Sequence, residues 1–390
     1  MLARPCKRSV RARATQADIV RSDFAAGAAT RTGCSQLGGV IVARRHLDID
    51  ELIESVRLAH VPDFRSGIFD VRATQRGREL VLTGQSTHPE AVQDLLQRLL
   101  TRGARPVDCV VRLPDPLLGG RHHALVRAGV APLYAEPRLP APQISQLVLG
   151  MRVEVLARER EWVRIRGEDG YVGWMHDGYV RVGTEEWAYG WERGAAGDSI
   201  VSLGAELLDE DGAIMSRLPW GARLVRQDKV YYLPDGRCGA TIEGNVVAVD
   251  RLTEFFPQRG DVVVHTARRW LGVPYLWGGV TQNGADCSGF VQAVLWVHGV
   301  ALPRDSDLQA RTGVPLAFND DLAGLRAADL LYFAEPGQRV SHVAISLGGS
   351  LIIHCSLGNG GVFIDDLNGH EPLQRKLRAL LISARRMLPD

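Results

Sequence analysis

The segment GADCSGFVQAVLWVHG (284–299) places a cysteine where a glycine-rich loop gives way to a predicted helix. Apolar residues after Cys287 recur at the spacing of one buried helix face, so the thiol is expected in the first helical turn. There the positive end of the helix dipole and unpaired backbone N–H groups favour thiolate over thiol. The glycines and polar neighbours before Cys287 predict an exposed loop, unlike the buried position common for structural cysteines. These features predict a cysteine nucleophile with a lowered pKa.

Two histidines downstream have the spacing of a base and its orienting partner. SHVAISLG (341–348) and SLIIHCS (350–356) predict adjacent strands joined by a tight turn. In such a hairpin the numbers of paired residues add up to about 697, and His342 and His354 sum to 696, so they are expected to be near neighbours. A zinc site that used Cys287 and both histidines would lack a candidate fourth ligand. The pattern therefore favours nucleophilic catalysis with no metal and no cofactor.

The motifs PYLWGG, DCSGF, LPRDSDLQ, SHVAISLG and IIHCS occur in this order within residues 256–370. Together they resemble the signature of the NlpC-type cell-wall cysteine peptidases, which implies a papain-like α+β domain. The resemblance implies that Cys287 is the nucleophile, His342 the general base and acid, and His354 the orienting third member. It also implies that the hydroxyl of Tyr275 helps to hold the oxyanion, together with the backbone N–H of Cys287.

Short alternating strands before this domain resemble two bacterial SH3-like barrels in tandem. GMRVEVL, EWVRIR and DGYVGWM carry the resemblance in the first barrel, and the second barrel is more diverged. This organisation resembles the γ-D-glutamyl-L-diamino acid endopeptidases of the dipeptidyl-peptidase VI type, in which the first barrel reads a free N-terminal L-Ala. The resemblance implies hydrolysis of murein peptides, L-Ala-γ-D-Glu-diamino acid, through an acyl-enzyme.

The same resemblance implies a set of residues that contact the substrate. They are Asp286, Ser288, Asp305, Ser306, Tyr171 and Trp277. Asp286 would pair with the substrate ammonium in a charge-assisted contact. Ile144 stands where the group commonly has an acidic residue, and Glu136 is a candidate substitute from a nearby loop.

Changes of pattern along the chain divide it into five segments. Residues 1–45 predict a disordered or extended tail, and residues 46–116 a small α+β unit with the order helix, two strands, helix and strand. VLTGQSTHPEAVQDLLQRL in that unit resembles BON-type domains. Residues 121–183 and 184–254 correspond to the two barrels, and residues 255–390 to the peptidase domain. The predicted fold class is multidomain, with an α+β unit, two β-barrels and a papain-like α+β domain.

The composition argues against several classes of partner. A net charge of +1 over 390 residues gives no reason to expect nucleic acid, and no apolar run approaches the roughly 18 residues of a membrane span. The six cysteines have neither CxxC nor metal-ligand spacing, which favours a reduced compartment. The N-terminal segment does not have the layout of a secretory signal, so a cytoplasmic location is expected. A misassigned start codon would instead allow a secreted or wall-associated protein.

Three functions are compatible with these motifs. The first is a cysteine endopeptidase that acts on murein peptides. A transferase or amidase could use the same scaffold, because one fold hosts many chemistries. A catalytically silent wall-binding protein is the third, although the intact set of catalytic residues argues against it. The reaction product separates the first two, since a hydrolase releases free peptide and a transferase releases an amine-capped one.

Overall fold

The computed structural model describes residues 48–194, 197–241 and 245–389, and the predicted tail at 1–45 lies outside them. Within the described ranges, the strands form five sheets of three, seven, seven, two and six strands. The larger sheets use consecutive stretches of sequence, so each stretch builds its own sheet. In this part of the chain, no helix is both long enough and apolar enough to cross a lipid bilayer.

The first unit has the predicted order of helix, two strands, helix and strand. Its elements are helix α1 (Ile49–His60), strands β1 (Phe69–Arg76) and β2 (Glu79–Ser86), helix α2 (Pro89–Thr101) and strand β3 (Pro106–Arg112). β1 and β2 pair antiparallel, whereas β3 pairs parallel to β2. Asp48 caps α1 by accepting a hydrogen bond from the amide of Glu51. The apolar stripes of both helices pack on one face of the sheet, which forms a small core of its own.

A seven-stranded antiparallel sheet follows. Its strands are β4 (His123–Val126), β5 (Val130–Tyr134), β6 (Gln143–Val148), β7 (Arg152–Glu159), β8 (Trp162–Arg166), β9 (Val172–His176) and β10 (Val180–Gly183). They lie in the order β10-β4-β7-β8-β9-β5-β6. Paired residues such as Val155 and Ile165 are buried, because alternate side chains of each strand point into the same core. Helix α3 (Glu185–Glu192) follows and packs against this sheet, with the guanidinium of Arg152 4.0 Å from the ring centre of Tyr189.

A second seven-stranded sheet repeats the strand number and the antiparallel pairing. Its strands are β11 (Asp198–Ser202), β12 (Ala205–Leu208), β13 (Ile214–Leu218), β14 (Arg223–Gln227), β15 (Val230–Tyr232), β16 (Cys238–Thr241) and β17 (Val246–Ala248). They lie in the order β13-β12-β16-β15-β14-β11-β17. Arg223 joins the two seven-stranded sheets, because its amide donates to the carbonyl of Leu149 at 2.8 Å. Its guanidinium also forms two hydrogen bonds of 2.6 Å with Glu168.

The C-terminal domain combines helices with a six-stranded antiparallel sheet. Its helices are α4 (Leu252–Phe255), α5 (Gly260–Arg268), α6 (Cys287–Trp296), α7 (Ser306–Gln309) and α8 (Pro372–Leu380). Its strands are β18 (Val280–Thr281), β19 (Gly284–Ala285), β20 (Val314–Leu316), β21 (Leu330–Phe333), β22 (His342–Gly348), β23 (Leu351–Ser356), β24 (Gly361–Asp366) and β25 (Leu381–Arg386). The large sheet has the order β20-β25-β21-β22-β23-β24, and β18 pairs with β19. The fully buried face of α6 packs against this sheet and so fixes the position of Cys287.

An apolar cluster joins the first unit to the first seven-stranded sheet. Its buried members are Ile68, Leu113, Leu156, Ala157 and Val172. The loop 61–68, between α1 and β1, therefore approaches the other domains instead of ending in solvent.

Candidate active site

Cys287 is the first residue of α6, but its thiol is buried. Asp286 caps the helix by accepting a hydrogen bond from the amide of Gly289 at 2.7 Å. Only 8% of Cys287 is exposed, so the expectation of an exposed loop is wrong. The glycines serve close packing instead, since a side chain at Gly289 would collide with the carbonyl oxygen of Gly279. The thiol thus lies in a tightly packed junction between loop and helix.

The backbone on either side of His342 contacts the thiol. Cys287 Sγ lies 4.0 Å from the carbonyl oxygen of Ser341, and the amide of Val343 is near enough to lower the pKa of the thiol. These two residues flank His342 in sequence, so the thiol lies beside the start of β22. Phe333 packs against the imidazole of His342, with ring centroids 5.5 Å apart, and restricts the orientation of that ring.

Burial gives the thiol and the imidazole a neutral resting state. Desolvation, followed by the charge of Asp286, raises the pKa of Cys287 to about 12, although the amide of Val343 acts in the opposite direction. Desolvation, followed by His354, lowers the pKa of His342 to about 3. The expected lowering of the thiol pKa is therefore wrong, because loss of water outweighs the effect of the helix N-terminus. The two pKa shifts favour loss of the thiol proton to His342 during attack over a thiolate formed beforehand.

His342, His354 and Asp365 form a continuous chain of hydrogen bonds. His342 Nε2 and His354 Nδ1 are 2.8 Å apart, and His354 Nε2 is 2.8 Å from Asp365 Oδ2. The hydrogen bond from His354 is the main cause that lowers the pKa of Asp365 to about 2, so this carboxylate is charged and accepts. A neutral His354 then carries its proton on Nε2 and accepts the Nε2 proton of His342 at Nδ1. This order leaves His342 Nδ1 free to take a proton from Cys287. We call Cys287, His342, His354 and Asp365 together the proton chain.

The predicted proximity of the two histidines is confirmed, although the hairpin register differs slightly. Ile345 pairs with Ile353, so paired numbers sum to 698, and a bulge interrupts the pairing near the turn. His342 and His354 are therefore diagonal neighbours on one face of the sheet. Their ring centroids are 5.0 Å apart and nearly perpendicular, which allows the hydrogen bond between the ring nitrogens.

Asp365 is a site residue that the sequence reasoning missed. In β24, Phe363 pairs with His354, and Asp365 lies two residues further on the same face. Asn359 and Gln374 donate to its two oxygens at 2.6 and 3.2 Å. The alternation of GVFIDDL (361–367) is the signal that could have found it, since this segment was predicted as the strand after the histidine hairpin.

The loop before α6 brings Tyr275 close to the nucleophile. Its amide donates to the carbonyl of Gly360 at 2.9 Å, and its backbone bridges to Ala285. Burial, followed by the proximity of Cys287 and Asp286, raises the pKa of Tyr275, so the phenol keeps its proton and can donate it. The N–H of Cys287, at the first helical position, has no acceptor within the helix. Both donors are available for a developing oxyanion.

Asp286 does not fit its expected role as the binding group for an ammonium. Arg304 donates to both of its oxygens, at 3.0 Å to Oδ1 and 2.6 Å to Oδ2. The amides of Gly289 and Gly278 occupy the same oxygens. Ser288 is also engaged, since it donates to Asp286 at 3.3 Å and accepts from Arg304 at 2.9 Å. Both side chains are buried and hold the loop in place, which leaves neither carboxylate oxygen for a substrate cation.

Arg304 is a second residue that the sequence reasoning missed. It is 1% exposed, and it also donates from Nε to the hydroxyl of Ser145 at 2.9 Å. Ser145 belongs to the first seven-stranded sheet, so one buried guanidinium connects that sheet to the cap of the catalytic helix. A fully buried arginine needs such partners, because an unpaired buried charge is costly.

Tyr171 and Asp305 come together, although they belong to different domains. The hydroxyl of Tyr171 donates to Asp305 Oδ2 at 3.0 Å. Burial, followed by the charge of Asp305, raises the pKa of Tyr171, which keeps the hydroxyl protonated. Ser306, the first residue of α7, is buried. Trp277 is 67% exposed, and its carbonyl accepts a hydrogen bond from Gln143 at 2.8 Å.

Glu136 and Ile144 have different surroundings. Glu136 forms a 2.7 Å ion pair with Arg138 in an exposed turn, whereas Ile144 packs against the core of the first seven-stranded sheet. The described residues contain no group of three or more His, Cys, Asp or Glu side chains placed to hold a metal ion.

A thiol at the start of the strand that carries an imidazole, with a second imidazole and a carboxylate behind it, is the arrangement that cysteine peptidases use for nucleophilic attack. Residues 272–380 match the NlpC/P60 family, and residues 129–181 match the bacterial SH3 domain. The chain therefore carries an NlpC/P60 domain together with a bacterial SH3 domain.

Named relatives have similar sequences. The chain is 29% identical over 247 residues to a gamma-D-glutamyl-L-lysine dipeptidyl-peptidase of Bacillus cereus, covering 57% of this chain and 70% of the relative. It is 28% identical over 281 residues to dipeptidyl-peptidase 6 of Lysinibacillus sphaericus, covering 67% of this chain and 98% of the relative. A crystal structure of an NlpC/P60 family protein from Bacillus cereus matches with a TM-score of 0.57 at 23% identity, over 68% of this chain and 100% of that chain. That likeness indicates a common fold.

Proposed function

We propose that the protein is a cysteine endopeptidase that hydrolyses the γ-D-glutamyl-diamino acid bond of murein peptides. The observation that carries the proposal is the hydrogen-bonded chain from His342 through His354 to Asp365, beside the buried thiol of Cys287. The likeness to dipeptidyl-peptidases of Bacillus cereus and Lysinibacillus sphaericus supports the choice of bond.

The proposed reaction proceeds through an acyl-enzyme. His342 Nδ1 takes the thiol proton while the sulfur of Cys287 attacks the γ-carbonyl carbon of D-Glu, and the carbonyl electron pair moves onto oxygen. The hydroxyl of Tyr275 and the N–H of Cys287 stabilise this oxyanion. His342 then protonates the leaving amine as the C–N bond breaks. Water, deprotonated by the same nitrogen, attacks the thioester carbon. The C–S bond then breaks, L-Ala-D-Glu leaves with a free γ-carboxyl group, and His342 returns its proton to the sulfur of Cys287.

The proposed substrate carries a free N-terminal ammonium, read where the first seven-stranded sheet meets the C-terminal domain. The pairing of Tyr171 with Asp305 supports this assignment, since Asp305 is the carboxylate of the pair. Ser306 and the exposed Trp277 remain proposed substrate contacts.

We infer that both seven-stranded sheets are SH3-like barrels, within residues 121–183 and 184–254. We also infer that residues 255–390 form a papain-like domain.

Synthetic L-Ala-γ-D-Glu-L-Lys tests the proposal, with the products identified by mass spectrometry. The wild type is expected to release L-Lys and free L-Ala-D-Glu. Cys287→Ala and His342→Ala should each lower kcat by about a thousandfold or more, because both residues act in the bond-making step. Cys238→Ala is the matched control, since Cys238 is an exposed cysteine of the second seven-stranded sheet and should leave kcat unchanged.

Three results would contradict the proposal. Full activity in Cys287→Ala would show that Cys287 is not the nucleophile. An amine-capped product, formed when a second amine is added, would favour the transferase. Absence of cleavage by the folded wild type would favour a silent binding protein or a different bond.

A further inference from the structure

One guanidinium from the first unit lies among three carboxylates at the edge of the C-terminal domain. Arg65 Nη1 donates to Asp305 Oδ2 at 2.8 Å and to Asp307 Oδ1 at 2.7 Å. Its Nη2 donates to Asp307 Oδ2 at 2.9 Å and to Asp63 Oδ2 at 2.6 Å. Together with Tyr171, whose hydroxyl also donates to Asp305, these residues form what we call the Asp305 cluster. It draws on three domains.

The loop that carries Arg65 is held firmly in place. The carbonyl of Arg65 accepts a hydrogen bond from the amide of Val172 at 2.7 Å, at the start of β9. Ile68, three residues later, is 2% exposed in the apolar cluster that joins the two domains. A second contact between these domains is the 2.9 Å ion pair of Asp70 with Arg164. The guanidinium is thus delivered to a fixed position, and the side chain of Arg65 is only 12% exposed.

Asp305 keeps one oxygen for another partner. Arg65 and Tyr171 both donate to Oδ2, whereas no described residue donates to Oδ1, and 27% of the side chain is exposed. Arg311 and Arg339 also act on Asp63 and Asp307, so the cation partner of this cluster is set by the unoccupied oxygen of Asp305 and not by a net negative charge. A carboxylate oxygen held in one orientation binds an ammonium group with little loss of entropy.

The Asp305 cluster is connected to the loop that carries Cys287 through the neighbouring residue Arg304. Arg304, which precedes Asp305, donates to Asp286 and Ser288, the residues on either side of Cys287. The guanidinium of Arg65 hydrogen-bonds to Asp305 Oδ2 and, within the described residues, to no member of the proton chain. It therefore supports the carboxylate without touching the reacting groups.

We propose that the first unit completes the substrate-binding groove, and that Arg65 is a positioning residue that orients Asp305 toward the N-terminal ammonium of the substrate. This inference rests on the proposed function. It gives residues 48–116 a role in selecting peptides with a free amine, although they contribute no reacting group.

The test compares Arg65→Ala with wild type on L-Ala-γ-D-Glu-L-Lys and on its N-acetylated form. Loss of the charge-assisted support should raise KM for the free-amine peptide about ten- to a hundredfold. The kcat should stay within about twofold, because the proton chain is untouched. The preference for free over acetylated peptide should fall by the same factor as KM rises. Arg65→Lys should restore part of it, since a lysine keeps the charge but not the two-pronged geometry.

Asp70→Ala is the matched control. It removes, at an exposed position, the ion pair between the first unit and the first seven-stranded sheet, so it reports looser docking of the first unit without touching Asp305. Its KM and its preference should equal those of wild type. If Arg65→Ala does not fold, Arg65→Gln keeps a polar side chain that fills part of the same space and removes the charge, and the same rise in KM is expected.

The outcomes separate this inference from the proposed function. A wild type that cleaves neither peptide would overturn the proposed function. A wild type that cleaves, with unchanged KM and preference in a folded Arg65→Ala or Arg65→Gln, would overturn the role of Arg65 alone. Faster cleavage in those variants would also overturn it, because Arg65 would then obstruct the groove.

Discussion

The proton chain and the Asp305 cluster are close in space but are assembled in opposite ways. The proton chain comes from one domain, and its two histidines and Asp365 follow one another on adjacent strands. The Asp305 cluster takes Arg65 from the first unit, Tyr171 from the first seven-stranded sheet and Asp305 from the C-terminal domain. The comparison suggests that bond-breaking chemistry is built locally, whereas recognition of the substrate depends on how domains dock.

The two groups also handle charge differently. In the proton chain, desolvation keeps thiol and imidazole neutral, and the one carboxylate that stays charged is remote from the thiol. In the Asp305 cluster, several charges face one another and remain partly exposed. We therefore expect damage to the proton chain to change kcat, and damage to the cluster to change KM.

The largest expected effect concerns the reactivity of the thiol. Because burial raises the pKa of Cys287 to about 12, thiolate is scarce near pH 7 and increases tenfold with each pH unit toward that value. Iodoacetamide should label Cys287 at least about a hundredfold more slowly than the exposed Cys109 and Cys238 at pH 7. Peptide mass spectrometry of a time course measures all three rates. Faster labelling of Cys287 than of Cys109 would show a preformed thiolate and a different resting state.

A smaller effect is expected at the far end of the proton chain. An amide at position 365 can donate to His354 Nε2, which would reverse the chain and place a proton on His342 Nδ1, where the base is needed. Asp365→Asn should therefore lower kcat about ten- to a hundredfold with little change in KM. Asp366→Asn is the matched control on the same strand and should behave as wild type. An equal loss in both variants would indicate that β24 was disturbed as a whole.

The smallest expected effect concerns Tyr171, which the stretch of the first seven-stranded sheet contributes to the Asp305 cluster. Tyr171→Phe removes one hydrogen bond to a carboxylate that Arg65 still supports. KM for L-Ala-γ-D-Glu-L-Lys should rise about three- to tenfold, and kcat should hardly change. Steady-state kinetics on the free and acetylated peptides provide the measurement. A loss confined to kcat would instead connect Tyr171 to the chemical step.

Local patterns predicted much of the fold and part of the site. The helices and strands of the first unit follow from hydrophobic periodicity and turn residues, because these signals act over a few neighbouring positions. The contact of His342 with His354 could be predicted for the same reason, since one tight turn sets the pairing of both strands.

The remaining features depend on contacts that are distant in sequence. The burial of Cys287 arises from the packing of its loop under β22, and the same burial reverses the expected shift of its pKa. Arg304 forms an ion pair with Asp286. The sequence motif could not predict this pair, because a motif does not show which charged residues contact each other. Arg65 lies in a loop with no local signal of function, and only the docking of three domains gives it a partner.

The contact between Arg65 and Asp305 also has a consequence for the order of folding. The two residues are 240 positions apart in the chain. At a synthesis rate of about 5–20 residues per second, the carboxylate would emerge roughly ten to fifty seconds after the guanidinium. The first unit has its own core and can fold in that interval. During this time Arg65 lacks two of its hydrogen-bond acceptors, Asp305 and Asp307. If Arg65 has the proposed role, a nascent or truncated chain lacks the complete amine-binding groove, and selectivity for a free amine requires the docked C-terminal domain.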